Sequence, residues 1–318
     1  MKNSENGIVN YRIIGVIGLL FAFAMIINYT NIYLFINGLY SKLLGVGHLV
    51  TNAGNIAIKN VVILLNLSVI IISSLFLFYK EIKGVLNRLI DTEKMYKYFL
   101  TDDICSLKQP AIYLFFIGSM TGIFFNAFQI TFGQPVKEGF MEDNTTLMYL
   151  VAVFVLMIST FQIKKSFFSS HDRVRILVFL FILSAFLVVV FGEEVSWGQR
   201  VIGYESFGVF EKYNYQDEVN FHNFFNPLFK YAYPMVGMST FLILFLIWQF
   251  DKKDKSHLFY LLVPHRSLFL FVFFMAASTY NGHSEIFEEL VSVFSLLYSI
   301  RLFFCLRFPM AKASEKLG

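Results

Sequence analysis

The chain has 318 residues, of which 57% are hydrophobic and only 15% are charged, and its formal net charge is +4. In soluble domains roughly a quarter of the residues are charged, so this composition excludes an ordinary soluble domain. The 40 Phe and 17 Tyr residues add more apolar surface than a water-exposed fold can hide. The two cysteines, Cys105 and Cys305, are distant in the sequence and exclude a disulfide framework and a CxxC metal site.

Apolar segments long enough to cross a membrane recur along the chain. A spanning helix needs about 20 mostly apolar residues, because its backbone polar groups must be hydrogen-bonded within the segment. The sequence predicts eight spans, at approximately 13–35, 60–79, 111–132, 147–163, 176–193, 232–250, 267–281 and 290–306. The segment 267–281 is the shortest, and whether it crosses fully is open. We therefore predict an all-α, polytopic transmembrane helical bundle that forms a single membrane domain over 1–318.

The distribution of lysine and arginine predicts the orientation of these spans. With eight spans, 19 basic side chains fall on one side of the membrane and 6 on the other. Cytoplasmic loops carry the excess of Lys and Arg, so both termini are predicted to be cytoplasmic. We expect the protein to lie in the bacterial inner (cytoplasmic) membrane.

The longest connection on the basic side is 80–108. It mixes lysines and arginines with apolar residues such as Leu86, Leu89 and Ile90. This pattern predicts a cytoplasmic amphipathic connector, either lying on the anionic inner leaflet or forming a helix with a solvated face.

Acidic residues gather on the opposite side, and one pair directly follows the fifth span. Glu193 and Glu194 come after an uninterrupted apolar run, at the hydrocarbon boundary. Acids at such depth are often functional, although the pair would also suit a plain water boundary with Arg200 as a neighbour. Trp197 is typical of an interface anchor.

The segment 195–231 follows as an extracytoplasmic or interfacial loop. It is rich in aromatic residues and contains Phe221, His222 and Asn223. We interpret it as a lid at the level of the lipid headgroups. His222 suits a structural hydrogen bond and a ligand role equally well.

A second acidic cluster precedes the eighth span. Asn281-Gly282 predicts a turn that is followed by His283, and Glu285, Glu288 and Glu289 then stand at helical spacing on one face. Acids also complement the dipole at the N-terminus of a helix. The dipole accounts for one or two of these acids better than for three beside a histidine.

Carboxylate and imidazole ligands together suit Zn, Mn, Fe or Mg. We hypothesise a site with three sets of residues. The catalytic set is Glu194 and Glu193. The metal ligands are Glu193, His222, His283 and Glu289. The substrate-binding residues are Trp197, Arg200, Phe221, Asn223, Glu285 and Glu288.

Two stretches carry a resemblance to known proteins. They are 193–203, Glu-Glu-Val-Ser-Trp-Gly-Gln-Arg-Val-Ile-Gly, and 220–223, Asn-Phe-His-Asn. They resemble the signature of a group of uncharacterised bacterial multi-pass membrane proteins, a resemblance that implies no known activity.

A fainter similarity is to the CAAX-type intramembrane proteases, which also place a Glu-Glu pair at a helix end before two histidines. Here five residues, not three, separate Glu194 from Arg200. In addition, position 218 is Glu and not Phe, and position 287 is Phe and not Asn. No protease residue is therefore carried over.

These observations favour a membrane enzyme, a metal-assisted hydrolase or transferase acting on a lipid or lipid-linked substrate at the outer leaflet. One alternative is an ion- or proton-coupled transporter or channel that uses the same acids. A second is a non-catalytic membrane subunit or defence-type effector. The basic residues follow the membrane surface, so nothing indicates a nucleic-acid partner, whereas an oligomer or membrane complex is open.

Overall fold

The computed structural model describes residues 11–44, 52–133, 140–163, 167–214, 218–250, 257–281 and 285–310. Over these ranges the chain is helical and forms no sheet, with one isolated antiparallel bridge between Cys105 and Pro309. The α-helices are α1 Tyr11–Ile27, α2 Tyr29–Leu44, α3 Asn52–Leu77, α4 Tyr79–Leu89, α5 Thr92–Phe99, α6 Gln109–Phe132, α7 Phe140–Thr160, α8 Ser170–Glu194, α9 Gln199–Ile202, α10 Val209–Tyr213, α11 Asn226–Gln249, α12 His257–Leu262, α13 Phe269–Ala277 and α14 Glu285–Arg307. Short 3-10 turns occupy Ser196–Gly198, His222–Phe225, Arg266–Leu268 and Ser278–Asn281. The predicted all-α class is confirmed.

Seven helical segments within the described ranges are long and apolar enough to cross a membrane, and a bent pair raises the number to eight. The seven are Ile58–Leu77, Gln109–Phe132, Met141–Thr160, Ser170–Glu194, Pro227–Gln249, Leu258–Tyr280 and Glu285–Arg307. The bent pair is Tyr11–Ile27 with Tyr29–Leu39. The chain is thus a multi-pass membrane protein with a polytopic helical architecture.

The chain divides into two compact units, Met1–Tyr96 with Glu138–Phe140, and Lys97–Lys137 with Met141–Gly318. In the first unit α1 runs antiparallel to α3. Arg12, near the start of α1, pairs with Glu81 at 2.7 Å, just beyond the end of α3. Gly15 makes the approach possible, because a Cβ there would lie 2.7 Å from the backbone of α3.

The first predicted span, 13–35, is not a single straight helix. α1 and α2 meet at Asn28 with an angle of 79°. The Asn28 side chain donates to the carbonyl of Ala24 at 3.0 Å, an alternative partner for backbone groups that commonly bends helices. The polar run 28–31 follows the apolar stretch, so the straight part of the span ends at Ile27.

The connector 80–108 contains two short helices, α4 and α5, with a break at 90–91. Asp91 caps α5, since its carboxylate accepts the backbone N–H of Lys94 at 3.0 Å. Apolar side chains such as Val85 and Leu89 are exposed between the basic residues. The connector is helical and mixed in polarity, and its side of the membrane stays a prediction.

In the second unit α6 packs closely against α13. Gly118 and Gly122 form a GxxxG spacing whose Cβ atoms would lie 3.2 Å from Phe271 and 2.8 Å from Phe274. Small residues at this spacing let membrane helices approach each other closely. α14 carries many of the unit's buried side chains, from Ile286 to Leu306.

The seventh span is a broken helix and starts earlier than 267–281. It covers Leu258–Tyr280, with the chain leaving α12 at Leu262 and resuming helix at Arg266. Three carbonyls exposed by the break, those of Tyr260, Leu261 and Val263, accept hydrogen bonds from Arg301. Irregular backbone at membrane depth is stable only when its polar groups are satisfied in this way.

Candidate functional site

A narrow cleft forms where four elements of the second unit end or begin. It is lined by Met141, Glu142, Thr145, Glu194, His222, Glu285 and Glu288. These residues come from the start of α7, the end of α8, the 3-10 turn His222–Phe225 and the start of α14. The cleft leaves about 10 Å³, the room of about one water molecule or small ion. Both acidic clusters predicted from the sequence therefore reach one place, together with His222.

The adjacent carboxylates of Glu193 and Glu194 have different surroundings, because neighbours on a helix point about 100° apart. Glu194 lines the cleft. Glu193 instead accepts the indole N–H of Trp197 at 2.6 Å and the backbone N–H groups of Phe221 and His222 at 2.6 and 3.0 Å. Glu193 thereby ties the end of α8 to the turn that carries His222.

The turn after α8 has an unusual backbone. Ser196 and Trp197 adopt φ values of +48° and +50°, followed by Gly198 at +89°. Consecutive non-glycine residues in this left-handed region are uncommon and need strong support from their surroundings. Part of that support is Gly192, since a Cβ there would lie 2.9 Å from the Trp197 ring.

A buried polar network holds the loop in place beneath the turn. Its centre is Glu218, whose Oε2 accepts from Ser196 Oγ at 3.2 Å, Asn220 Nδ2 at 2.8 Å and Asn223 Nδ2 at 3.0 Å. Ser196, Asn220 and Asn223 are fully buried. The side chain of Asn223 thus supports the loop, and its predicted role in substrate binding stays a prediction.

Gln199 connects the first signature stretch to the residue just before the second. Its side-chain oxygen accepts the backbone N–H of Val219 at 2.6 Å. Together with the contacts of Glu193 and Ser196, this bond shows that much of the 193–203 and 220–223 pattern serves to shape one loop. The side chain of Arg200 lies outside what the structure describes.

His222 is held between a carboxylate and an aromatic stack. Its Nδ1 lies 3.7 Å from Glu193 Oε2, and its ring stacks on Phe229 at a centroid distance of 6.3 Å. Phe229 in turn stacks on Tyr233 at 4.9 Å. The imidazole is thus fixed in position while still lining the cleft.

The three acids of α14 have separate environments. Glu285 and Glu288 line the cleft, and Glu288 also accepts a hydrogen bond from the hydroxyl of Tyr233. Glu289 has no exposed surface; it accepts from Thr145 Oγ1 at 2.6 Å and from the side-chain amide of Asn144. Glu289 therefore joins α14 to α7 in the interior.

The predicted metal ligands do not form a metal centre within the described ranges. There, no three or more His, Cys, Asp or Glu side chains are arranged to hold a metal ion. Both Glu193 and Glu289 already accept hydrogen bonds from the chain. His283 lies outside the described residues, so its pairing with His222 stays a prediction.

An exposed aromatic patch flanks the loop. Phe210 contacts Phe221 at 5.2 Å and Phe224 at 5.6 Å, and Phe207 lies 6.1 Å from Phe210. Phe207 and Phe221 are more than half exposed, as Trp197 nearly is. Its place at the membrane interface stays a prediction.

Several cleft residues were not selected from the sequence. Met141, Glu142 and Thr145 come from the start of α7, and Tyr233 reaches Glu288 from α11. The one sequence signal was Glu142 itself, an acid beside Asp143 just before an apolar span. Tertiary packing determines which helices meet α7 at the cleft.

No protein-family model, curated protein or solved structure matches the chain. The inference of function therefore depends on the cleft and its surroundings.

Proposed function

We propose that the chain is a membrane enzyme, a hydrolase or transferase that acts on a lipid or lipid-linked substrate at the membrane boundary. The observation that carries the proposal is the convergence of Glu194 and His222 with Glu142, Glu285 and Glu288 on one cleft. Carboxylate and imidazole groups are the usual carriers of general acid–base catalysis.

Glu194 is the proposed general acid or base. It is the last residue of α8, at the membrane boundary, and it lines the cleft. His222 is the second proton-transfer group, oriented by Glu193 and Phe229. Four carboxylates line the cleft, and repulsion between them would favour a bound proton.

A divalent cation stays in the proposal as a cofactor, although no three or more His, Cys, Asp or Glu side chains in the described ranges are arranged to hold one. Carboxylate oxygens suit Mg or Mn more than Zn. Such an ion would supply charge stabilisation for an oxygen of the substrate.

The lipid substrate is supported by what surrounds the cleft. The aromatic patch of Phe207, Phe210, Phe221 and Phe224 lies on the loop that carries His222. Exposed aromatic side chains are typical of the headgroup level of a bilayer. A substrate with its polar group at that level would meet the cleft from the membrane.

The second candidate is an ion- or proton-coupled transporter. α14 carries Ser292, Ser295 and Ser299 between its acids and Arg301, which is a polar stripe along a span. However, each hydroxyl donates to a carbonyl of its own helix, at 2.7, 2.9 and 2.7 Å. Such internally bonded serines make a poor ion path, which favours the enzyme.

The test compares Glu194→Gln with the matched control Glu205→Gln, an exposed loop acid that does not line the cleft. The purified proteins are incubated with a bacterial lipid extract, and the products are followed by mass spectrometry with and without added Mg²⁺ or Mn²⁺. We expect Glu194→Gln to lower turnover by about 10²–10⁴-fold and the control to be unchanged.

The same proteins in liposomes distinguish the alternatives. Cation or proton flux that requires Glu194, with no lipid product, would replace the enzyme by a transporter. Loss of thermal stability in Glu194→Gln, with neither product nor flux in the unsubstituted protein, would favour a non-catalytic subunit.

A further inference from the structure

A larger groove lies at the opposite end of α7 and α8 from the cleft. It has a volume of about 350 Å³ and is lined by Thr160, Ile163, Ser170, Arg173, Val174 and Leu177. The α8 residues among these stand at helical spacing on one face, and the α7 side contributes the end of its helix. Nothing in the proposed acid–base chemistry uses this groove.

The groove is polar at one end and apolar at the other. Val174 and Leu177 are 59% and 43% exposed, as expected for side chains that face lipid. Ser170 and Arg173 stand one turn earlier, at the start of α8. The groove therefore has the polarity of an amphiphile, with a cationic head region and an apolar wall.

Arg173 has an unmet hydrogen-bonding group. Its Nε is buried and has no hydrogen-bond partner in the described part of the chain. Arg175, two residues further on, pairs instead with Asp172 at 3.5 Å. A buried guanidinium N–H without a partner is costly, and a bound anion would satisfy it.

The start of α8 adds to this preference for an anion. Ser169 caps the helix by accepting the N–H of Asp172 at 3.1 Å. The N-terminus of a helix is electropositive and favours negative charge. This effect is secondary to the guanidinium that lines the groove.

We propose that the groove binds an anionic phospholipid, with its phosphate at Arg173 and an acyl chain along Val174 and Leu177. Basic pockets between membrane helices bind anionic headgroups in this manner. The excess of basic residues predicts that this end of the helices lies at the cytoplasmic leaflet.

The test measures binding of phosphatidylglycerol, phosphatidylcholine and inorganic phosphate to the purified full chain in detergent. Arg173→Gln is compared with Arg175→Gln, which removes the same charge two residues away from the groove. We expect phosphatidylglycerol to bind the unsubstituted protein best. Arg173→Gln should weaken this binding about tenfold or more, and Arg175→Gln should leave it within about twofold.

A second pair of variants changes the size of a side chain at or near the groove without changing its charge. Val174→Trp fills the groove and should abolish binding of phosphatidylglycerol, whereas Val178→Trp, on an exposed position outside the lining, should not. Equal binding by the two arginine variants, or by the two tryptophan variants, would overturn the proposal. Inorganic phosphate that binds as tightly as the lipid would also overturn it, because the site would then take a free anion.

Discussion

Arg301 is a charged residue with only 1% of its surface exposed, in the middle of the last span's buried face. Its Nε donates to Asp102 Oδ2 at 2.7 Å, and its other N–H groups reach carbonyls at the break in the seventh span. Burial alone would raise the pKa of Asp102, but the Arg301 guanidinium beside it holds that pKa well below its usual range. The pair therefore joins the connector region to two spans.

The first prediction is that Asp102→Asn destabilises the protein by about 3–5 kcal/mol, because it leaves a buried guanidinium without its counter-charge. Thermal unfolding in detergent measures the effect. The control is Asp91→Asn, which breaks an exposed pair with Lys94 and should change little. An equal loss in both variants would contradict the structural role of the buried pair.

The same pair predicts a pH dependence. The pKa of Asp102 is lower in the folded than in the unfolded chain, where it is about 3.9. Its stabilisation is therefore complete above that value and is lost as the pH falls further. The melting temperature of the unsubstituted protein should show a loss below about pH 4 that Asp102→Asn lacks; parallel curves for the two proteins would contradict the assignment.

The second prediction concerns Gly192 and Trp197. Gly192→Ala forces the indole to move, because the new Cβ would lie 2.9 Å from its ring, and it weakens the bond to Glu193. We expect a loss of about 1–3 kcal/mol and a shifted fluorescence of Trp197, measured in a Trp248→Phe background. Gly84→Ala, where the Cβ meets open space, is the control. An unshifted spectrum would show that the ring does not cover Gly192.

At the scale of elements, side-chain hydrogen bonds connect the described residues of the loop after α8. Asn214 donates to the carbonyl of Asn220 at 2.9 Å, and Glu218 accepts three side-chain donors. Buried networks of this kind are stable only when each member is satisfied. These bonds support the turn that places His222 at the cleft.

The third prediction follows from the centre of this network. Glu218→Ala removes the acceptor of three buried donors and should lower the local opening free energy by about 1.5–3 kcal/mol or more. Hydrogen exchange of amides in 219–225 should accelerate accordingly. Glu211→Ala, an exposed acid on α10, serves as the control, and equal exchange in both variants would contradict the network.

At the scale of the whole molecule, the order of spans determines which loops share a side. Three spans, α6 to α8, separate Glu93 from Glu211. If each of these spans crosses the membrane, we expect the two positions on opposite sides of it. The excess of basic residues predicts that Glu93 is cytoplasmic.

The fourth prediction tests this arrangement by cysteine labelling. A membrane-impermeant maleimide should label Glu211→Cys in intact cells and Glu93→Cys only after permeabilisation. The native Cys105 and Cys305 are buried and need not be replaced. Labelling of both positions from the same side would contradict the order of spans and, with it, the common cleft.

A third position examines the bent first span. Arg12 pairs with Glu81, so α1 begins at the end where α3 finishes. If α1 crosses the membrane, Thr30→Cys should be labelled from the same side as Glu211→Cys. Protection of Thr30→Cys from outside would mean that α1 and α2 form a re-entrant pair and that the chain has seven spans.

The sequence by itself determined the membrane class and the approximate spans. A helix that crosses a membrane needs about 20 consecutive apolar residues. Such a run is a local property of the sequence, so a hydropathy profile detects it directly. It also indicated the acids at the ends of α8 and α14, because charges at a hydrocarbon boundary are conspicuous. The bend at Asn28 was not predicted, because a local hydrogen bond to Ala24 leaves no mark on hydropathy. The break after Leu262 was not predicted either, because the side chain that satisfies its carbonyls, Arg301, comes from another span.

Only the tertiary structure decided which of these acids share a cleft. Glu193 and Glu194 are equivalent in the sequence, yet one bonds the loop and the other lines the cleft, because helical geometry points them in different directions. Glu142 and the pairing of Asp102 with Arg301 were likewise beyond sequence reasoning. Such contacts join residues from separate elements, and tertiary packing, not local hydropathy, brings them together.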